Sequence, residues 1–203
     1  MNNFNESILS QRYRCVLQLG DDDNLFGFQC EDGWVEVLEG ALRVSVRYAQ
    51  EEGVDFKIDQ VKEKFGALRI YHRGGDVTID RIFDVVELVS CFICENCGAP
   101  GRLREVAGWS QVKCLKHQLP GRSNDRSLRA NILVAEAQGT TYSESYAKAV
   151  SLLLWFFGDK YASWLNQECL ALGGLKPAEA LATTEGCEEV CKLIKRLEHG
   201  VAT

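Results

Sequence analysis

Two pairs of metal-ligating residue types, close together in the sequence, constrain this chain more than any other feature. Cys94 and Cys97 are separated by two residues, sixteen residues lead on to Cys114, and two more separate Cys114 from His117. A structural zinc site takes four nitrogen or sulfur ligands in a tetrahedron, and a two-residue spacer lets both ligands of a pair face one ion. The sequence therefore predicts one zinc ion bound by these four residues.

The segment between the two pairs has the pattern of a β-hairpin. Residues 102–106 and 109–113 each alternate, and Ala107-Gly108 supplies the turn between them. Gly98 directly follows the first pair, where the backbone must turn sharply. We therefore predict a zinc ribbon over residues 94–117. Four protein ligands leave no open position for a catalytic water, so the ion is expected to be structural.

Cysteine usage and the N-terminus indicate a cytosolic protein. The chain has 203 residues and nine cysteines, an odd number that does not suit a disulfide framework. Residues 1–6 lack the features of a secretory signal, and no apolar run is long enough to span a bilayer. We assign Cys91 to the end of the preceding helix, with ligation of the metal as the alternative because it lies three residues before Cys94. The other cysteines are expected in the core, and they are Cys15, Cys30, Cys169, Cys187 and Cys191.

Charge leaves the question of nucleic acid open. The formal net charge of −6 argues against a protein that coats DNA or RNA with its whole surface. The predicted ribbon nevertheless has a local basic character beside Trp109, from Arg102, Arg104, Lys113 and Lys116. These residues suit either a solvated polar face or a small contact with nucleic acid. A zinc-dependent nucleic-acid-binding regulator is therefore an alternative function.

Residues 30–90 predict a small α+β unit made of a helix, a hairpin and a second helix. The first helix follows Asp32 as its cap, has apolar residues at helical spacing and ends at Gly53. Two alternating segments come next, with Phe65-Gly66 at the turn between them. The second helix is predicted to have its cap at Thr78.

Residues 118–127 form the predicted linker, because Pro, Gly, Ser, Asn and Asp dominate them and no apolar repeat occurs. They divide the chain into an α+β domain over residues 1–117 and an all-helical domain over residues 128–203. In the helical domain, Pro177 suits a first helical position and Thr184 suits the cap of the last helix.

Few residues suggest catalysis. Of the three histidines, His117 is assigned to zinc and His72 lies at a strand end. His199 falls in the last turn of the final helix, where the helix dipole favours a positive group. No phosphate-binding glycine loop, nucleophile elbow or paired-carboxylate motif occurs. The sequence predicts a binding protein and not an enzyme.

The C-terminal part resembles a known family. The features that carry the resemblance are Phe157-Gly158-Asp159, Trp164-Leu165-Asn166, Ala171-Leu172-Gly173-Gly174, the segment from Lys176 to Leu181, Thr184-Glu185-Gly186 and the segment from Leu193 to Val201. In this order and spacing they resemble the toxin-binding domain of the Xre/MbcA/ParS antitoxins, over about residues 147–201.

The resemblance implies a small helical domain that binds a toxin protein, often of the RES-domain class that consumes NAD. In that family the C-terminal tail of the antitoxin blocks the active site of the toxin. Carried over by position, the partner-binding residues are Trp164, Gly173, Gly174, Glu198, His199, Gly200, Val201, Ala202 and Thr203. Several apolar residues of this segment would equally serve as the core of any helical bundle.

The N-terminal part departs from that family, whose typical members carry a helix-turn-helix domain there. The segment from Gln60 to Arg69 is instead typical of uncharacterised phage and prophage proteins, which residues 26–117 resemble. We therefore expect an antitoxin-like protein that occludes a toxin or effector enzyme. A phage anti-defence protein that uses the same surface is an alternative. The apolar run Leu152–Phe157 also predicts a homodimer.

Overall fold

The computed structural model describes residues 1–17, 26–106, 108–118, 137, 139 and 142–200. Its helices are α1 (Asn3–Arg12), α2 (Val35–Glu52), α3 (Val77–Ser90), α4 (Tyr142–Phe157), α5 (Tyr161–Leu165), α6 (Pro177–Ala180) and α7 (Thr184–Glu198). The strands β1 (Phe56–Lys64), β2 (Ala67–Gly74), β3 (Arg102–Val106) and β4 (Trp109–Lys113) pair into two antiparallel hairpins. Single 3-10 turns occur at Asp32–Trp34, Leu115–Gln118, Gly158–Lys160 and Leu170–Leu172. The predicted α+β class and the helical C-terminal part are confirmed.

Helix α2 lies at the centre of the core, and every residue from Val37 to Leu42 is buried. Gly53 ends the helix as predicted, with a φ of 68° that favours glycine. Asp32 does not cap it. The Oδ1 atom of Asp32 instead accepts hydrogen bonds from the amide of Asn2 (2.8 Å) and from Nδ2 of Asn5 (3.2 Å), which ties α1 to the start of α2.

Strands β1 and β2 form the predicted hairpin. Phe65 and Gly66 occupy its two-residue turn with positive φ values of 55° and 76°, the turn geometry that matches the twist of paired strands. The apolar face of the hairpin packs against α3. That helix has its cap two residues before the predicted Thr78, because Oδ1 of Asp76 accepts a hydrogen bond from the Thr78 amide at 2.9 Å.

The N-terminal and C-terminal parts of the chain meet mainly where α2 packs against α4. Gly40 permits the close approach, since a Cβ atom there would lie only 2.8 Å from Cδ1 of Tyr146 and 3.0 Å from the carbonyl oxygen of Ser143. The Ser143 hydroxyl also donates to the carbonyl oxygen of Glu36 at 3.0 Å. Helix α7 covers another side of α4.

Buried apolar residues form one contiguous cluster that extends from Leu9 to Ile194. The two parts of the chain therefore bury apolar surface against each other. Apart from Gln118, the predicted linker over residues 118–127 lies outside the described residues. The division into domains over residues 1–117 and 128–203 stays a prediction.

Two predictions about the C-terminal helices can be compared with the structure. Pro177 is the first residue of α6, as predicted. The cap of α7 is Thr183 and not Thr184, because the Thr183 hydroxyl accepts a hydrogen bond from the Gly186 amide at 3.0 Å. The sequence placed the cap one residue too late because both threonines have the same side chain.

The apolar run at the end of α4 is largely used inside the chain. Leu153 and Leu154 are buried, whereas Leu152, Phe156 and Phe157 are half-buried. Trp155 alone among these six residues is mostly exposed, at 67%. Most of the surface on which the homodimer was predicted therefore packs within the chain, and dimerisation stays a prediction.

Candidate functional site

The side chains of Cys94, Cys97, Cys114 and His117 converge beside the β3–β4 hairpin. Their ligand atoms all lie within 4.8 Å of one another. The sulfurs of Cys97 and Cys114 are 3.7 Å apart. The Nδ1 atom of His117 lies 3.5 Å from the sulfur of Cys94 and 3.3 Å from that of Cys114. The arrangement is compatible with one metal site.

Three distances between these atoms can be compared with those expected for a tetrahedral zinc ion. Two sulfurs that each lie about 2.3 Å from such an ion are about 3.8 Å apart, and a sulfur and a histidine nitrogen are about 3.6 Å apart. The three distances in the cluster are each within about 0.3 Å of these values. Three thiols and one imidazole are also a ligand set that structural zinc takes.

The backbone before α2 supports the first ligand pair. The Gly33 amide donates to the carbonyl oxygen of Glu95 at 2.8 Å, and the indole of Trp34 donates to the carbonyl oxygen of Ile93 at 2.9 Å. A Cβ atom on Gly33 would lie 2.1 Å from the carbonyl oxygen of Cys94. Only glycine therefore fits at this position without displacing the ligand-bearing turn.

The surroundings of Cys94 favour its thiolate. The side chain of Cys97 and the backbone amides of Cys114, Asn96 and Cys97 stabilise the charged form and lower the pKa of Cys94 to about 4. The same contact and burial raise the pKa of Cys97. A thiolate on Cys94 is the form that binds a metal ion.

Cys91 is not part of the cluster. Its thiol donates to the carbonyl oxygen of Glu87 at 3.5 Å at the end of α3, as predicted. Among the scattered cysteines, the structure confirms burial of Cys30, Cys187 and Cys191. The prediction is wrong for Cys15, which is exposed, and Cys169 is half-buried.

The basic residues of the β3–β4 hairpin are partly engaged inside the chain. Lys113 forms an ion pair with Glu95 at 2.6 Å, and Arg102 pairs with Glu179 on α6. Trp109 is 73% exposed at the hairpin turn. The ion pairs reduce the positive charge available for a nucleic-acid contact at this hairpin.

The partner-binding residues predicted on the C-terminal helices occupy two places. The Trp164 ring stacks on Phe157 with 4.4 Å between ring centroids, so part of its surface serves packing. Gly173 and Gly174 shape an exposed loop before α6. At the end of α7, the exposed residues are Glu198, His199 and Gly200. The remaining predicted tail residues, Val201, Ala202 and Thr203, lie outside the described residues.

These helices also carry the similarity to known proteins. Residues 152–200 match the family model for the antitoxin Xre/MbcA/ParS C-terminal toxin-binding domain. No curated protein and no solved structure matches the chain. The match supports an antitoxin-like, toxin-binding role in general terms. It does not extend to residues 26–117, whose similarity to phage and prophage proteins stays a prediction.

Within the segment that matches the antitoxin domain, one loop presents an apolar side chain that the sequence did not single out. The loop Cys169–Leu175 is closed by hydrogen bonds from the Cys169 amide to the Leu175 carbonyl and from the Gly174 amide to the Cys169 carbonyl, both 3.0 Å. Leu172 is buried and anchors the loop, which contacts α7, whereas Leu170 is 93% exposed. Tertiary packing decides which leucine is buried, so no local pattern distinguishes Leu170 from Leu172.

In the described part of the chain, no helix has both the length and the apolar character needed to cross a membrane.

Proposed function

We propose that this chain is an antitoxin-like binding protein that neutralises a toxin or effector enzyme by steric occlusion. The observation that carries the proposal is the coincidence of the antitoxin-domain match at residues 152–200 with a closed loop that exposes Leu170. An exposed leucine on a hydrogen-bonded loop loses little conformational entropy on binding and can fill an apolar pocket of a partner.

The proposed contact surface consists of two neighbouring elements. The loop Cys169–Leu175 supplies apolar surface through Leu170 and Leu175, which are both exposed. Helix α7 contacts this loop. Its end, with the residues that follow up to Thr203, would enter or cover the active site of the partner. The chain itself would perform no chemistry, because occlusion requires only complementary surfaces.

A toxin of the RES-domain class, which consumes NAD, is the partner we infer from the family resemblance. The proposed setting is the bacterial cytosol, and the gene would belong to a phage or prophage. A phage anti-defence protein would use the same surface against a host effector enzyme, so the two roles differ in the partner and not in the mechanism.

The metal site would have a structural role in this protein. We infer one zinc ion, held by Cys94, Cys97, Cys114 and His117, which would hold together a segment too short to bury a core of its own. The Arg102–Glu179 pair joins this segment to α6. The zinc-bound segment would thereby support the helix that lies between the two elements of the contact surface.

A growth assay tests the proposal. A RES-class toxin encoded beside the gene, or another neighbouring product that arrests growth, is induced in a bacterium with and without the full chain. We expect the chain to restore growth and to form a complex with the toxin that survives size-exclusion chromatography. Restored growth without a complex would argue against occlusion, and no restoration by the folded chain would overturn the proposal.

A further inference from the structure

The β1–β2 hairpin separates its charges between its two faces. The register places Lys57 opposite Arg73 and Lys62 opposite Arg69. All five lysines and arginines of the hairpin therefore lie on the face opposite to its apolar residues, although the side chain of Arg69 reaches Glu87 of α3 from this face. We call it the outer face, and it comprises Lys57, Lys62, Lys64, Arg69, Tyr71 and Arg73. In a chain with a net charge of −6, the outer face is a local concentration of positive charge.

The acidic residues of the hairpin do not share this face. Glu63 lies on the other face, where its Oε1 atom accepts a hydrogen bond from the Gly66 amide at 2.7 Å. Asp59 sits at the bulge between Ile58 and Gln60. The regular part of the outer face therefore presents cations without an intervening carboxylate of the hairpin itself.

Two lysines of the outer face lie against aromatic rings. The Nζ atom of Lys62 is 4.9 Å from the centroid of the Tyr71 ring, and that of Lys64 is 5.5 Å from the centroid of Phe65. Within the part of the chain that the structure describes, neither lysine has a carboxylate partner. Tyr71 is 40% exposed and Phe65 is 72% exposed. Cations and exposed rings thus alternate along the hairpin.

Both arginines of the outer face form ion pairs, and in the more exposed pair a phosphate can take the place of the carboxylate. Arg73 pairs with Asp59 at 3.4 Å, and both side chains are exposed. Exposed pairs of this kind contribute little to stability, so exchanging the carboxylate for a phosphate costs little. Arg69 pairs with Glu87 of α3 at 2.5 Å in a less exposed position and is less available.

We propose that the outer face of the β1–β2 hairpin binds single-stranded nucleic acid. Phosphates would contact Lys62, Lys64 and Arg73, while unpaired bases stack on Tyr71 and Phe65. From Lys57 to Lys64 the strand spans about 23 Å, which suits a short site near the lower end of the range of about 4–16 nucleotides per binding domain. Bases in a duplex are already stacked and cannot use these rings, so the aromatic residues select a single strand.

Fluorescence anisotropy with the full chain tests this assignment. The probes are labelled 12-nucleotide poly(dT) and poly(U) strands and a mixed-sequence 12-base-pair duplex, each titrated at several salt concentrations. We expect both single strands to bind more tightly than the duplex at low salt. A difference between poly(dT) and poly(U) would show which sugar the site prefers, and binding of either supports the proposal.

Two sets of variants separate charge from stacking. Lys62→Gln/Lys64→Gln should lower the slope of log affinity against log salt by about 1.4, or about 0.7 for each lost phosphate contact. The control Lys160→Gln/Lys195→Gln removes two exposed lysines elsewhere and should leave the slope unchanged. Tyr71→Ala should weaken binding at least about fivefold, the lower limit for one base stacked on an aromatic ring. Tyr71→Phe should retain it.

Several outcomes would overturn the proposal. These are no single-strand binding at about 20 mM salt, where phosphate contacts are strongest, or duplex binding as tight as single-strand binding. An equal decrease of the salt slope in the Lys62/Lys64 variant and in the control variant would also overturn the proposal. Binding to phosphatidylglycerol vesicles without oligonucleotide binding would instead assign the outer face to a membrane surface.

Discussion

Replacing either of two neighbouring tyrosines on α4 by phenylalanine should change the free energy of unfolding, with opposite signs for the two positions. Their ring centroids are 5.9 Å apart, and both side chains are buried. The Tyr142 hydroxyl donates to the carbonyl oxygen of Leu181 at 3.0 Å. The Tyr146 hydroxyl, in contrast, has no hydrogen-bond partner within the described residues. Replacing each tyrosine by phenylalanine removes the same atom from two different electrostatic environments.

The expected changes follow from the cost of a buried polar group. Tyr146→Phe removes an unsatisfied hydroxyl, whose burial costs about 1–3 kcal/mol, and we expect the free energy of unfolding to rise by about 1 kcal/mol after allowance for lost packing. Tyr142→Phe loses a hydrogen bond and leaves the carbonyl of Leu181 with only the weak thiol donor of Cys187, at 3.4 Å. The free energy of unfolding should therefore fall by about 1 kcal/mol. The two variants should differ by about 2 kcal/mol.

Urea unfolding followed by far-ultraviolet circular dichroism measures this difference. For a chain of this size 1 kcal/mol shifts the melting temperature by about 2–4 °C, so the two variants should melt about 4–8 °C apart. The denaturant slope should be the same in both, which excludes a change in the denatured state. Equal destabilisation by Tyr142→Phe and Tyr146→Phe would refute the reasoning, because it would mean that both hydroxyls are paired.

Three further predictions concern the metal site and a half-buried carboxyl group. The purified chain should contain about one equivalent of zinc by elemental analysis. Cys97→Ser should lose the metal and melt at a lower temperature, whereas Cys91→Ser should keep the metal and the melting temperature of the parent chain. Retention of zinc by Cys97→Ser would contradict the ligand set. Gly33→Ala should destabilise the folded chain by about 1–3 kcal/mol in thermal melts, because its Cβ atom cannot fit beside Cys94; an unchanged melting temperature would show that the close approach is absent. Burial, with a smaller contribution from Glu39, raises the pKa of Glu36 from 4.5 to about 7. The neutral form is therefore favoured by folding, so the stability that Glu36 contributes is complete below its unfolded pKa and is lost as pH rises through about 7. Glu36→Gln should reduce the loss of stability between about pH 5 and pH 8 by on the order of 1–3 kcal/mol. If urea unfolding gave the same pH dependence of the free energy of unfolding for Glu36→Gln and for the parent chain, the prediction would be contradicted.

Local patterns predicted the local structure of this chain. The spacing of Cys94, Cys97, Cys114 and His117 brought together four residues that do lie within reach of one ion, because short spacers fix the geometry of each pair. The two-residue turn at Phe65-Gly66 and the helix end at Gly53 were also predictable, because each depends on a few adjacent residues.

Tertiary contacts explain what the sequence did not predict. Asp32 has the side chain of a helix cap, yet its carboxylate binds Asn2 and Asn5, which pack beside it only in the folded chain. The apolar end of α4 suggested a surface for a second copy, but packing within the chain covers most of it. Leu170 and Leu172 are two residues apart and of the same type, and only the fold exposes one and buries the other.

The affinity of the full chain for the enzyme that it neutralises in the growth assay tests the central claim most directly. Leu170→Asp is compared with Val77→Asp, which replaces an exposed apolar residue at the start of α3, outside the matched segment. Both variants add one negative charge, so only the position differs. If Leu170 is a central contact, Leu170→Asp should weaken binding by about 30-fold or more, as expected for a loss of about 2 kcal/mol. Val77→Asp should bind like the parent chain. Equal affinities of Leu170→Asp and the parent chain would contradict occlusion through the Cys169–Leu175 loop.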